Sequence, residues 1–430
     1  MKILVIGGGG REHALAWRLA QAARVQVVYV APGNAGTALE SGVKNVDIIA
    51  TADLIAFAHR EQIYLTIVGP ETPLADGIVN DFRAAGLKIF GPTRAAAQLE
   101  SSKEFAKKFM VRHNIPTASY QAFESVADAC AYVEKNGAPV VIKADGLAAG
   151  KGVVVAMTVQ EACDAIAMML SNNKFGEPGV RLIIEEFIVG KEASFIVMVD
   201  GDHALPLATS QDHKRLLDGD CGPNTGGMGA YSPAPMVTPE LHARVLREVI
   251  MPVIRGMKEE GNSYTGFLYA GLMIDSQSNY KVLEFNCRMG DPETQPIMLR
   301  LKSDLLMLLE HAVEGTLNKV EAEWDRRAAL GVVLAAANYP NAPRKDDVIT
   351  GLPKTQEDAH VFHAGTRLLD GRLVTSGGRV LCVTALGDSV VAAQRRAYQI
   401  AEEIYFDGCQ MRHDIGHQAV PPTGRTPTDD

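Results

Sequence analysis

Lys143 and Lys151 flank a loop of glycine, alanine, leucine and aspartate within the run PVVIKADGLAAGKGVVVAM, residues 139–157. The β-rich runs on either side read as two strands, so the loop is a hairpin turn. Gly146, Gly150 and Gly152 let backbone N–H groups come close to a ligand, and the two lysines add positive charge, a combination that suits a phosphate chain. A P-loop is excluded by the spacing. Three residues rather than four separate Gly146 from Gly150, Gly152 stands where the magnesium-binding hydroxyl should be, and the loop leads into a strand. Lys143 lies on an otherwise apolar strand and therefore asks for an anionic partner.

A second constellation lies in LEFNCRMGDPE, residues 283–293. Residues two apart on a strand share a face, so Glu284 and Asn286 point together and Arg288 continues that face. Two oxygen ligands with room for water and phosphate are how magnesium is usually held beside a nucleotide. Arg288 would meet a phosphoryl group or carboxylate; its structural alternative is an ion pair with Glu284. The run IIEEFIVGKEAS, residues 183–194, suits a purine nucleotide. The backbone of Phe187 and Ile188 would read the adenine edge and Glu192 would accept from the ribose hydroxyls. Lys103, in the first turn of a helix that starts after Ser102, sits badly against the helix dipole unless a phosphate is near.

Five short apolar runs in residues 1–100 alternate with helix-like or polar segments: 3–6, 27–30, 46–49, 65–68 and 88–90. That is the pattern of a doubly wound parallel sheet, whose crevice lies at the carboxyl ends of its strands. The loops there carry Gly10, Arg11, Glu12, Asn34 and Glu71. The glycines of the first loop suggest a dinucleotide site, but Ala31-Pro32 stands where the ribose-binding acid should be, so NAD is set aside. For Asn34 a turn or capping role is an equal reading. Residues 205–235 are read as a long binding loop without secondary structure, and residues 417–430 as a disordered end without function.

The chain has 430 residues, 42 Lys+Arg against 51 Asp+Glu and a net charge of -9, so it is a poor candidate for binding nucleic acid or an anionic membrane. No apolar run approaches a bilayer span. The six scattered cysteines, without a C-x-x-C pair, read as reduced cytoplasmic thiols.

The order GGGGREHA, PGNAGT, VGPE, IFGPT, SKEFAK, VIKADGLAAGKGV, EEF-x-x-G-x-EAS, SQDHKR, GPNTGGMGAYSP and EFNCRMGDPETQ resembles the bacterial phosphoribosylamine–glycine ligases, a family of the ATP-grasp superfamily, over residues 1 to about 416. The resemblance implies an α/β and α+β architecture: an ATP-grasp fold with an N-terminal Rossmann-like parallel-sheet domain, a small hinged lid domain and a C-terminal α+β domain. The expected divisions are 1–102 for the substrate domain, 103–122 with 190–325 for the central domain, 123–189 for the lid, 326–418 for the C-terminal domain and 419–430 for the tail. It implies ligation of glycine to 5-phosphoribosylamine with ATP, in a chain expected to act as a monomer. Carried over by motif, Lys103 and Lys143 would contact ATP phosphates under the 145–152 hairpin. Glu185 with Phe187 and Ile188 would hold adenine, Glu192 the ribose, and Glu284 with Asn286 a Mg2+ or Mn2+ ion. Lys143, Arg288 and Asp291 are the expected catalytic groups; Gly10, Arg11, Glu12, Asn34, Glu71, Asp212 and Asp291 are expected on the substrates. Gly8 and Met289 depart from the family pattern, and the strand before Glu284 carries Leu272 and Met273 where many ATP-grasp enzymes place a second carboxylate. The rivals are an ATP-dependent ligase or carboxylase using another acid, an NAD oxidoreductase, and a nucleotide sensor without turnover.

Overall fold

A computed structural model describes residues 1–146, 152–171, 181–354 and 357–419. Gly150, Lys151 and most of the glycine hairpin lie outside the described residues, as does the tail beyond residue 419.

The N-terminal sheet is parallel, in the order Val43–Asn45, Val27–Pro32, Lys2–Gly7, Leu65–Val68 and Ile89–Phe90. Nearly all of Lys2–Gly7 and all of Leu65–Val68 are buried, as expected for strands covered on both faces. The third strand forms at Val43–Asn45 rather than at 46–49, because Gly42, at φ +76°, turns the chain earlier than the apolar run suggests. Strand order reverses around Lys2–Gly7, so the crevice of this sheet opens where the loops after Gly7 and Val68 meet.

The central sheet is antiparallel, in the order Ala204–Pro206, Lys191–Asp200, Thr265–Ile274 and Tyr280–Asn286. It shares two continuous hydrophobic cores with the N-terminal sheet, one of them extending to Phe362 and Cys382. The lid sheet is separate: Tyr120–Phe123, Leu182–Glu186, Val140–Ala144 and Val153–Ala156 pack on the helices Val126–Asn136 and Val159–Ser171 around their own small core.

Residues 205–235 are not a loop without secondary structure. They contain the short strands Gln211–Asp212, Arg215–Leu217, Cys221–Asn224 and Gly229–Ser232. The first and last of these join the C-terminal sheet, in the order Gln211–Asp212, Gly229–Ser232, Ala328–Ala335, Arg379–Gly387 and Ala359–His363. Glycine and proline hide this strand signal locally, and it is the long-range pairing with Ala328–Ala335 that supplies the hydrogen bonds. The C-terminal sheet therefore borrows two strands from a segment assigned by sequence to the central domain.

Candidate active site

The lid sheet and the central sheet face each other across a cavity of about 1380 Å3. Lys143 projects into it from Val140–Ala144 and is only 6% exposed. Its Nζ lies 3.0 Å from Glu185 Oε1 and donates to the Leu283 carbonyl at 3.3 Å, tying the lid to the strand that bears Glu284. Glu185 also meets Lys107 Nζ at 3.1 Å, and Lys107 donates to Thr117 Oγ1 at 2.8 Å. Burial lowers Lys107 to about 8. The anionic partner that an apolar strand position demanded for Lys143 is thus Glu185. Glu185 Oε1 is buried and faces the Lys143 ammonium, while Oε2 faces that of Lys107. Phe187 and Ile188 follow on the same wall.

Lys103 opens the helix Lys103–Arg112 and sends Nζ to the Gly146 carbonyl at 2.9 Å. The Asp145 carboxylate accepts the Lys103 backbone N–H at 2.7 Å, so an anion does sit at this helix N-terminus. Burial lowers the Lys103 pKa. Gly146 and Gly152 both line the cavity.

On the opposite edge, Glu284 pairs across the sheet with Gly271, and Asn286 with Tyr269, because a bulge between Gly271 and Leu272 shifts the register. Burial pushes the Glu284 carboxyl up, but the combined charges of Lys214, Lys143, Lys103 and Arg288 hold it at about 2. Those cations bond elsewhere: Lys214 to Glu192 at 2.5 Å, Lys143 to Glu185 and Lys103 to Gly146. Glu284 is therefore kept ionised without its oxygens being used by the lysines. A carboxylate and an amide oxygen on one strand face fit a hard divalent cation, and the cationic surroundings suit the phosphate oxygens that would share it.

The alternative pairing of Arg288 with Glu284 does not form. Arg288 binds Glu100 at 2.9 Å and Glu71 at 3.1 Å, and reaches Asn286 Oδ1 at 3.4 Å. Burial alone would lower this guanidinium, but Glu100 and Glu71 more than offset it and raise its pKa. Glu71 stands in the N-terminal crevice with Arg11, whose Nη2 is 3.9 Å away. Burial raises the Glu71 carboxyl, but Arg288 and Arg11 bring it below its ordinary value. Asp291 and Asp212 line the cavity as well. Burial and the Glu293 carboxylate push Asp212 well up. Asp291 is also subject to burial, yet Arg379 and Arg11 lower it.

Three first-domain residues have structural duties. Glu12 Oε2 accepts the Gly9 backbone N–H at 2.6 Å and closes the start of the helix Gly10–Ala20, while Oε1 takes Arg11 Nε at 2.6 Å. Gly10 backs onto Gln295, whose Nε2 would lie 2.6 Å from a Cβ there. Asn34 caps the helix Ala35–Leu39 by accepting the Thr37 N–H, and its Nδ2 donates to the Gly8 and His363 carbonyls at 2.9 and 2.8 Å. Asn34 lines a smaller cavity of about 420 Å3 between the N- and C-terminal sheets. Asp291 and Arg379 line both cavities and join them.

Several site residues escaped the sequence reading. Lys107 is one helical turn beyond Lys103, a spacing visible in SKEFAK; Lys214 and Glu293 lie inside the SQDHKR and GDPE runs. Arg379, from the C-terminal sheet, had no local signal. Residues 417–419 also line the large cavity, so the start of the end segment is part of the site.

Family models describe this arrangement: the phosphoribosylglycinamide synthetase N domain matches residues 1–100, the ATP-grasp domain 101–294 and the C domain 329–418. The chain belongs to the phosphoribosylglycinamide synthetase family. A phosphoribosylamine–glycine ligase of Ralstonia nicotianae is 67% identical over 420 residues, covering 98% of this chain and 100% of that protein. One from Escherichia coli O6:H1 is 63% identical over 424 residues, covering 98% and 99%. The crystal structure of the Thermotoga maritima phosphoribosylamine–glycine ligase matches with a TM-score of 0.84 at 34% identity, over 96% of this chain and 100% of that one. Biotin carboxylase from Campylobacter jejuni, at 14% identity and a TM-score of 0.74 over 95% and 92% of the chains, shares the fold. The chain thus has an ATP-grasp fold, and among the described residues no helix is long and apolar enough to cross a membrane.

Proposed function

We infer that this chain is an ATP-dependent ligase that joins glycine to 5-phospho-D-ribosylamine. The products are N1-(5-phospho-D-ribosyl)glycinamide, ADP and phosphate, and the reaction is the second step of purine synthesis. Family membership over nearly the whole chain supports the reaction. The observation that carries the assignment of parts is the Glu284–Asn286 edge, which shares one cavity with Lys103 and Lys143.

A glycine carboxylate repels nucleophiles, and oxide leaves poorly. Transfer of the ATP γ-phosphoryl group to it gives glycyl phosphate, from which phosphate departs when the ribosyl amine attacks the carbonyl. Catalysis of such a transfer rests on position and charge cancellation. Lys103 and Lys143 take ATP phosphates beneath the 145–152 hairpin, Glu185 with the backbone at Phe187 and Ile188 takes adenine, and Glu192 takes the ribose. Glu284 and Asn286 would hold Mg2+ or Mn2+, which supplies countercharge to the phosphates. Arg288 meets the developing phosphoryl charge. Asp212 and Asp291 face the glycine ammonium; a carboxyl that burial has raised, as at Asp212, gains from an arriving cation. Arg11, Glu71 and the loops of Gly10, Glu12 and Asn34 form the phosphoribosylamine side. Alignment of amine and acyl phosphate is worth about 7–11 kcal/mol. The chain acts as a monomer in the cytoplasm, consistent with its free cysteines.

A coupled assay of ADP release tests this. Release should require both glycine and phosphoribosylamine and should not occur with bicarbonate. ADP release with bicarbonate in place of glycine would move the chain to the carboxylase reading.

A further inference from the structure

Away from the two reactive edges, three polar side chains meet where the N- and C-terminal domains touch. Glu40 Oε2 lies 3.2 Å from His13 Nε2 and 3.1 Å from His360 Nε2. Glu40 follows the helix Ala35–Leu39, His13 stands on the helix Gly10–Ala20 and His360 on the C-terminal strand Ala359–His363. Such a set resembles a metal site, since the three candidate ligand atoms lie within 4.8 Å of one another. The hydrogen bonding says otherwise. His13 Nδ1 accepts the backbone N–H of His363 at 2.8 Å. Neutral His13 must then carry its proton on Nε2 and donate it to Glu40, whereas a metal ligand needs that nitrogen bare. The Glu40 carboxylate is thus the common acceptor of N–H groups from two domains.

The contacts continue toward the smaller cavity. The His363 carbonyl accepts Asn34 Nδ2, and the same amide reaches the Gly8 carbonyl in the first loop. Gly36 lets these parts come together, because a Cβ there would lie 2.5 Å from the His363 side chain and 2.6 Å from the His13 ring. One wall of the cavity is Gly8, Gly9 and Asn34, and the other includes Gly365, Ser376 and Gly377. The two walls belong to different domains, and the hydrogen-bonded chain from Glu40 through His13 and His363 to Asn34 spans the seam beside them.

We propose that His13, Glu40 and His360 form an interdomain clasp that sets the separation of these walls and so positions the first loop for phosphoribosylamine. All three are positioning residues: they act through Asn34 and the loop, and none of them lines either cavity. The inference rests on the reading above that the N-terminal crevice takes the phosphoribosylamine.

The clasp is tested at its least buried donor. Replacing His360→Leu removes the donor and should raise KM for phosphoribosylamine about tenfold, the scale of one lost charge-assisted hydrogen bond, with kcat and the KM values for ATP and glycine little changed. His360→Gln, whose amide nitrogen can stand in for Nε2, should restore KM to near that of the unaltered enzyme. Glu40→Gln should shift KM for phosphoribosylamine in the same direction as His360→Leu, since both histidines donate to Oε2 and a neutral amide oxygen accepts more weakly than a carboxylate. Equal changes in all constants, or failure of His360→Gln to rescue, would mark a general structural role and overturn the proposal. Glu71→Ala is the control. If it raises KM for phosphoribosylamine while His360→Leu and Glu40→Gln do not, the clasp is refuted and the crevice assignment stands. If none of these variants shifts that KM, the crevice assignment fails and the clasp with it.

Discussion

Glu284 is kept ionised by neighbours to which it is not bonded. Burial raises its carboxyl, the surrounding lysines and Arg288 lower it further than burial raises it, and each of those lysines gives its hydrogen bond to another group. The charge is retained with oxygens left for a cation. Replacing Glu284→Ala should therefore abolish ligase turnover while circular dichroism and the melting profile stay close to those of the unaltered protein. Near-normal rates at saturating Mg2+ would remove Glu284 as a metal ligand. At this scale the types Glu284, Asn286, Lys103 and Lys143 were legible from strand alternation and loop chemistry. Their mates were not: that Glu185 holds Lys107 as well as Lys143 is a contact between the helix Lys103–Arg112 and the strand Leu182–Glu186, far apart in the chain.

Among the elements, the segment 211–232 was misread as loop because its strands are short and rich in glycine and proline, and partners from Ala328–Ala335 complete them. A buried histidine secures it. His213 Nε2 accepts the Gly416 N–H at 3.0 Å, so Nδ1 carries the proton and faces the Gly229 carbonyl at 3.2 Å. Burial and the nearby Arg412 and His417 lower its pKa to about 4. The unfolded chain takes up a proton near pH 6.5, so the native state loses stability as pH falls from there and stops losing it once His213 itself protonates. Between pH 6.5 and 4 the loss is about 3 kcal/mol. His363, lowered to about 3 by burial and by His13 and His360, acts in the same direction. Urea midpoints of the unaltered protein should fall over this range. In His213→Gln, whose amide oxygen can accept from Gly416, the fall should be smaller by about that amount; an unchanged pH profile would contradict the neutral, buried tautomer.

For the whole molecule, the large cavity gathers residues from all four sheet systems: Glu71 from the first, Lys143 and Glu185 from the lid, Glu284 from the central sheet and Arg379 from the last. A ligand that binds there only in the native state stabilises it by about 2.7 kcal/mol at 100 times its Kd. ATP with Mg2+ should accordingly raise Tm, and EDTA should remove the metal-dependent share; a Tm indifferent to both would argue against this cavity as the nucleotide site. The amino-acid sequence alone determined the parallel N-terminal sheet, the strands that flank the glycine run, the carboxylate–amide strand edge and the family, because each is written in local periodicity or in a contiguous motif. Only the tertiary structure decided which charges pair, where the register slips beside Gly271, which strands complete the C-terminal sheet, and how His13, Glu40 and His360 meet across two domains. Those outcomes depend on contacts between residues up to hundreds of positions apart, whose energies arise from burial and shared electrostatic fields that exist only once the chain is folded.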